Sequence, residues 1–181
     1  TVGPPVKNVK VKISREGEIL VKGKNLMQGY WKKPVITKKT IINGWLHTGD
    51  LGEIDEKGRI IITGRKKDLI ITSGGDNISG QRIENILISF NEISQAVVYG
   101  DDRPYLTALI KIAEGNNTND LKRVLEAVNK NLNSIERIRK FIILDQELSY
   151  ENGLMTQTMK IKRKKVLDFY KEEINRLYKS L

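Results

Sequence analysis

Residues 44–87 read GWLHTGDLGEIDEKGRIIITGRKKDLIITSGGDNISGQRIENIL, and the fold turns on a change of texture inside this stretch. Leu51 to Thr63 has the pattern of a β-hairpin: Asp55 to Gly58 supply turn residues, and Ile60, Ile61 and Ile62 read as a buried strand. Leu69 to Thr72 is another strand-like run, closed by Ser73, Gly74 and Gly75. Past residue 65 helical spacing takes over, with Ile83, Ile86, Leu87 and Phe90 on one face. Upstream, Val9 to Ser14 alternates apolar and polar residues, Arg15 to Gly17 turns the chain, and Glu18 to Lys22 returns as a second strand. Gly23 to Asn43 reads as loop. Downstream, Ala96 to Tyr99, Leu106 to Ile112 and Phe141 to Leu144 read as strands. Leu121, Val124, Leu125, Val128 and Leu132 form the stripe of a helix with Thr118 or Asn119 as N-cap, and Asn116 to Asn119 reads as a flexible loop. A final helix carries Val166, Leu167, Tyr170, Ile174 and Leu177, its apolar face used for core packing. The expected fold class is α+β: a β-rich piece over 1–66, then a small α+β domain over 67–181.

Composition narrows the function classes. There is no Cys and one His, His47, so disulfides, thiolate metal sites and histidine-built metal sites are not expected. No apolar run reaches the length of a membrane-spanning helix. The first ten residues, TVGPPVKNVK, lack a signal-peptide core and open as a cut through a longer protein would. A cytoplasmic location is expected, with peripheral membrane contact open. The net charge of +10 fits a polyanionic partner, yet the lysines are spread in a chain rich in Ile, Lys and Asn, which compositional bias also produces. Aromatic residues interleaved with Lys and Arg are missing, so nucleic acid is not an expected partner.

Three stretches carry candidate chemistry. In His47-Thr48-Gly49-Asp50, an Asp after a tight Thr-Gly turn can aim its carboxylate outward, where an acceptor-only group suits the two hydroxyls of a ribose. A turn aspartate capping local amides is the alternative. Gly64-Arg65-Lys66-Lys67-Asp68 lies where the texture changes, and by itself is a charged linker between folding units. Thr156-Gln157-Thr158-Met159-Lys160-Ile161-Lys162-Arg163 leads a basic stretch at a helix start. A lysine there can hold two anions together, or be one charge on a solvated face. Lys162 to Lys165 read as such a face.

Taken together, these stretches resemble the adenylate-forming superfamily of acyl-CoA synthetases, luciferase-like enzymes and peptide-synthetase adenylation domains. The match is continuous over residues 44–87 and extends to GEILVKGKNLMQGYWKKP (17–34) and VVYGDDRPYLTALI (97–110). The forms His47-Thr48-Gly49-Asp50, Gln81-Arg82-Ile83-Glu84-Asn85 and Asp102-Arg103-Pro104-Tyr105 are most similar to the long-chain fatty acyl branch. The resemblance implies that Asp50 binds the ribose hydroxyls of ATP and AMP and that Arg65 also contacts the ribose. It implies that Lys67 is the hinge about which the C-terminal domain turns between an adenylating and a thioester-forming pose. Gly74 and Gly75 match the loop that approaches the pantetheine of CoA, where lack of a Cβ lets backbone lie close to a slim ligand. Lys160 matches the adenylation lysine.

The resemblance also departs from pattern. Gly80 and Gln157 stand where the family often has Pro, which loosens the backbone at both places. A Ser/Thr/Gly-rich phosphate loop, the adenine pocket, the Glu that binds Mg²⁺ and the acyl tunnel have no counterpart in this sequence. The expected reaction is that of a long-chain fatty acid–CoA ligase, with fatty acid, ATP and CoA as partners and a separate N-terminal half supplying the rest. The isolated chain is expected to be inactive. A non-catalytic binding or regulatory module on a ligase-derived fold is the alternative.

Overall fold

The computed structural model describes residues 1–179. The chain divides into two compact units, Thr1–Leu69 and Ile70–Leu181, three residues later than the change of texture suggests. Residues 180 and 181 lie outside the described residues.

The first unit is an antiparallel sheet. Strand β1 (Val9–Ile13) pairs with β2 (Glu18–Gly23), and its alternating half-buried and exposed residues match the alternation in sequence. Between Gly23 and Asn43 the chain is not all loop. Pro34 opens a short helix, α1 (Pro34–Thr40), and Ile41–Ile42 forms β3. Proline at the first helical turn loses no hydrogen bond that a helix would otherwise make. The long strand β4 (Trp45–Ile54) is central: β2 pairs along one side, β3 and β5 (Ile60–Arg65) along the other. Strand β5 is less buried than three consecutive isoleucines suggest: Ile60 and Ile61 are half-buried and Ile62 is exposed. A strand with one covered face cannot bury three neighbours in a row, because successive side chains point to opposite faces.

The second unit opens with a two-stranded ribbon, β6 (Leu69–Ile71) and β7 (Asn77–Ser79), the first strand beginning at the boundary. Helix α2 (Gly80–Leu87) follows, capped by Ser79, whose Oγ accepts from the Arg82 amide at 3.3 Å. Gly80 is not a loose joint: a Cβ there would sit 2.9 Å from Ile70 Cδ1. Strands β8 (Ile93–Tyr99) and β9 (Leu106–Ile112) run antiparallel. After α3 (Thr118–Lys130), β10 (Ile138–Ile143) pairs with β9 in parallel. The N-cap of α3 is Asn117, one residue before the expected position. It forms a capping box with Asp120, so half of the expected flexible loop is helix start. The single final helix is two, α4 (Arg163–Phe169) and α5 (Lys171–Lys179), broken at Tyr170.

The three-stranded sheet is covered on both faces, and the period of two sorts its residues. Ala96, Val98, Ala108 and Ile110 join Ile83, Leu87, Leu121, Val124 and Val128 in one cluster under α2 and α3. Val97 and Leu109 point the other way, into a cluster with Leu154, Met155, Val166, Tyr170 and Ile174. Double coverage is why Ala96–Tyr99 and Leu106–Ile112 read as nearly continuous apolar runs. Each fully buried Leu, Ile or Val contributes about 1.5–3 kcal/mol relative to exposure.

Candidate functional site

In the first unit the candidate residues gather at an irregularity in β4. Strand β2 takes two steps from Glu18 to Leu20 while β4 takes four from Leu51 to His47, so Thr48-Gly49-Asp50 bulges from the ladder. Gly49 sits at φ +74°, where a residue with a Cβ is strained. The segment is thus a bulge inside a strand, not the turn expected from Thr-Gly. Glu18, a residue the motif reading passed over, pins it. Its carboxylate is buried and accepts from the Gly49 amide at 2.9 Å, with His47 Nδ1 3.1 Å away and Lys66 Nζ at 3.8 Å. Thr48 Oγ1 donates to Ile19 O at 2.8 Å and accepts from the Asp50 amide at 3.1 Å.

Past the bulge, Asp50 stands opposite Arg65 in the β4–β5 register, and the two form an ion pair with Arg65 Nε 2.9 Å from Asp50 Oδ1. Of the two readings of Asp50, its carboxylate partner in the structure is this guanidinium. Thr48, Gly49, Arg65, Lys66 and Lys67 line a concavity of about 360 Å³ beside the pair. Lys66 also binds Glu16, which holds the lysine above its usual range and the glutamate below its own. The concavity therefore presents three cations, Arg65, Lys66 and Lys67, in reach of an anionic ligand. Lys67 lies in a single 3-10 turn, Lys66–Asp68, with no buried residue, two positions before the first unit ends.

In the second unit, Gly74 and Gly75 sit at the tip between β6 and β7. Thr72 ties the tip together: its carbonyl accepts from the Gly75 amide at 2.9 Å and its Oγ1 from the Asp76 amide at 3.2 Å. Gly75 has φ +84° and open space where a Cβ would point, so its backbone is bare.

Lys160 is exposed in a separate tight turn. The Thr156 amide donates to Lys160 O at 2.8 Å, the Lys160 amide to Thr156 Oγ1 at 3.1 Å, and Met159 is held at φ +58°. Buried Leu154 and Met155 anchor the turn on its upstream side, where the Lys162 amide donates to Leu154 O at 2.8 Å. Arg163 anchors it downstream, so the solvated face expected over Lys162 to Lys165 is only partly one. Arg163 Nη2 donates to Glu84 Oε1 at 2.6 Å and Nη1 to Val98 O at 2.7 Å, while the Val98 amide donates to the same Glu84 oxygen at 2.7 Å. Strand β8 is a sheet edge, and this ring satisfies backbone groups that a neighbouring strand would otherwise take. Lys164 and Lys165 are exposed, as expected.

The structure thus brings Asp50 and Arg65 together and places Lys67, the Gly74-Gly75 tip and Lys160 each on an exposed, locally braced turn. Glu18, Glu84 and Arg163 were missed. A lone Glu opening an apolar strand, and a Glu among Ile83, Ile86 and Leu87 on a helix face, were the available signals.

A family model for the AMP-binding enzyme C-terminal domain matches residues 67–181. Over 98% of its length the chain is 36% identical to "Long-chain-fatty-acid--CoA ligase FadD15" of Mycobacterium tuberculosis, covering 34% of that protein. Among solved structures, the amide bond synthetase McbA from Marinactinospora thermotolerans superposes with a TM-score of 0.77 at 27% identity, over 93% of this chain and 36% of that one. The A domain of a carboxylic acid reductase from Segniliparus rugosus, in complex with AMP and a carboxylic acid, gives 0.76 at 26% identity, over 97% of this chain and 32% of that one. The chain belongs to the family of AMP-binding enzyme C-terminal domains. It spans about a third of the length of the relatives it matches.

Proposed function

We propose that this chain carries part of the nucleotide site and the adenylation lysine of a long-chain fatty acid–CoA ligase. The first half-reaction joins the fatty acid carboxylate to the α-phosphorus of ATP, giving acyl-AMP and releasing diphosphate. In the second, the CoA thiolate displaces AMP to give the thioester. The observation that carries the reading is the Asp50–Arg65 pair standing in register beside the glycine bulge, with Arg65 lining a cation-rich concavity. Asp50 accepts from both ribose hydroxyls, and Arg65 orients the carboxylate and contacts the ribose. The fatty acyl substrate is supported by the similarity to the mycobacterial ligase over nearly the whole chain.

Lys160 counters the repulsion between the substrate carboxylate and the α-phosphate. The braced turn fixes the Lys160 backbone, so only the side chain has still to be ordered when the ammonium binds. Lys67 serves as hinge, and the bare Gly74-Gly75 tip lies against the pantetheine arm. The resemblance also implies Mg²⁺, and the Glu that would bind it has no counterpart in this sequence. On this reading the partner segment holds the metal. By the same reading the 181-residue chain alone makes no acyl-CoA, since the phosphate cradle and acyl tunnel belong to a partner segment.

The test supplies that segment, fused or in trans, and measures the half-reactions separately. Lys160→Ala should cut pyrophosphate exchange by about 10²–10³-fold, the scale of losing one preorganised donor. Thioester formation from preformed acyl-AMP should be largely spared. Asp50→Ala should weaken both, because both retain the ribose. Equal loss of both half-reactions in Lys160→Ala would overturn the assignment of that lysine.

A further inference from the structure

Lys160 rides on a segment whose upstream foot is Leu148 and whose downstream foot is Arg163. Apolar burial seats the segment on the three-stranded sheet. Leu148, Leu154, Met155 and Val166 share a cluster with Val97 and Leu109, and Ile161 packs against it. Burial of this kind is not directional, so it sets where the segment lies but not which way its exposed turn points. Hydrogen bonds supply the direction. Both feet are fastened to the edge strand β8, the downstream one by Arg163 Nη1 on Val98 O.

The upstream foot is held by Gln95, a half-buried residue of β8. Its Nε2 donates to Leu148 O at 2.8 Å, and its Oε1 accepts from the Leu148 amide at 2.7 Å. One side-chain amide thus meets both backbone groups of a single residue, as an opposing residue does in an antiparallel ladder. The same Nε2 lies 3.8 Å from Met155 Sδ. Backbone contacts run on from there to the lysine. The Met155 amide donates to Ser149 O at 2.8 Å, Met155 bridges to Ile161, and the Thr156 amide donates to Lys160 O at 2.8 Å. Gln95 shares its face of β8 with Val97, over the apolar cluster, where a Leu or Met would bury more apolar surface. A glutamine there gives up burial and gains two opposed bonds that fix the Leu148 peptides in place.

We infer that Gln95 is a positioning residue for Lys160. By fixing the upstream foot it presents the ammonium to the carboxylate and the α-phosphate at one place, and it acts on the first half-reaction alone. Its catalytic weight rests on the assignment of Lys160 as the adenylation lysine. The same unit holds a comparison built in the same way. Asn129 Nδ2 donates to Ile138 O and its Oδ1 accepts from the Ile138 amide, both at 2.9 Å, at the opposite edge strand β10. That clasp joins α3 to β10 and makes no bond to the Lys160 segment.

The test uses the ligase completed by its missing segment, with the half-reactions followed separately. Gln95→Met keeps the side-chain length and removes both bonds. It should lower kcat for pyrophosphate exchange by about 10–100-fold, the scale on which a displacement of about 1 Å acts, with KM for ATP and fatty acid nearly unchanged. Thioester formation from preformed acyl-AMP should keep its rate. Added to Lys160→Ala, Gln95→Met should cost nothing further, because it acts through the lysine. Gln95→Glu, the same shape without the donor, should show the same split. Asn129→Leu should lower both half-reactions by one factor or neither. In the 181-residue chain, Gln95→Met should speed exchange of the Lys160 amide about tenfold, a readout that needs no activity. Equal loss of both half-reactions in Gln95→Met, full additivity with Lys160→Ala, unchanged pyrophosphate exchange, or the same split in Asn129→Leu would overturn the role of Gln95. In each case Lys160 keeps its assignment if Lys160→Ala still separates the half-reactions. Where Lys160→Ala itself shows no separation, the assignment of the lysine fails, and the role of Gln95 with it.

Discussion

Breaking the Glu84–Arg163–Val98 ring should destabilise the second unit selectively. The Glu84 side chain is 7% exposed and its Oε1 holds both the Arg163 guanidinium and the Val98 amide, whereas the Arg163 side chain is 29% exposed. Arg163→Met therefore leaves a carboxylate out of water with one neutral donor, and should cost about 3–5 kcal/mol, the range for stranding one member of a buried pair. Glu84→Ala removes the charge instead. It orphans the Val98 amide, about 1–3 kcal/mol, while the guanidinium can turn toward solvent, so its cost should be the smaller. The double variant should cost less than the sum, because the stranded charge is gone. Urea denaturation must be followed by far-UV circular dichroism or amide exchange, because Trp31 and Trp45, the only tryptophans, both belong to the first unit. Loss of about 3 kcal/mol corresponds to exchange of the Val98 amide roughly 10²-fold faster. Single variants each costing under about 1 kcal/mol, or strictly additive costs, would refute the view that these three groups form one unit.

Other outcomes follow from the same geometry. Glu18→Ala should destabilise the first unit by about 2–4 kcal/mol, since a buried acceptor of charged and amide donors is lost; unfolding followed by Trp45 emission measures it, and Glu18→Gln should recover part. Gly52→Ala should cost at least about 1–3 kcal/mol as an overpacked site, because its Cβ would lie 2.4 Å from Ile61 O and 2.7 Å from Ile19 Cδ1. Burial raises the hydroxyls of Tyr170 and Tyr178 from 10.0 to about 12, Tyr170 with help from its hydrogen bond to Asp145. A group whose folded pKa is raised contributes stability that is complete below its unfolded value, so the second unit should lose stability between pH 10 and 12. Tyr178→Phe should flatten that alkaline slope in circular-dichroism titrations.

Backbone periodicity carried most of the architecture, because it depends only on which residues avoid water. The alternation from Val9 to Ile13, the β-run before residue 65 and the stripe from Leu121 to Val128 became the elements their periods imply, while Leu132 lies past the end of its helix. Short-range chemistry was read less well. The helix Pro34–Thr40 contributes no buried residue, so it leaves no stripe, and Ile60 to Ile62 shows composition without which face is covered.

The candidate site divides along the same line. Sequence by itself determined which residues carry charge and freedom where the proposed chemistry would use them: Asp50 after Gly49, Arg65 and Lys67 at the change of texture, Gly74 and Gly75 together, and Lys160 ahead of a helix. Tertiary structure decided what each of them meets. Only the β4–β5 register sets Asp50 opposite Arg65, fifteen positions on, and only folding brings Glu18 under Gly49 and Glu84 against Arg163, 31 and 79 positions away. A carboxylate in sequence is a charge with no address. Its partner is fixed by which strands and helices bury their apolar faces together, and that depends on the whole core at once.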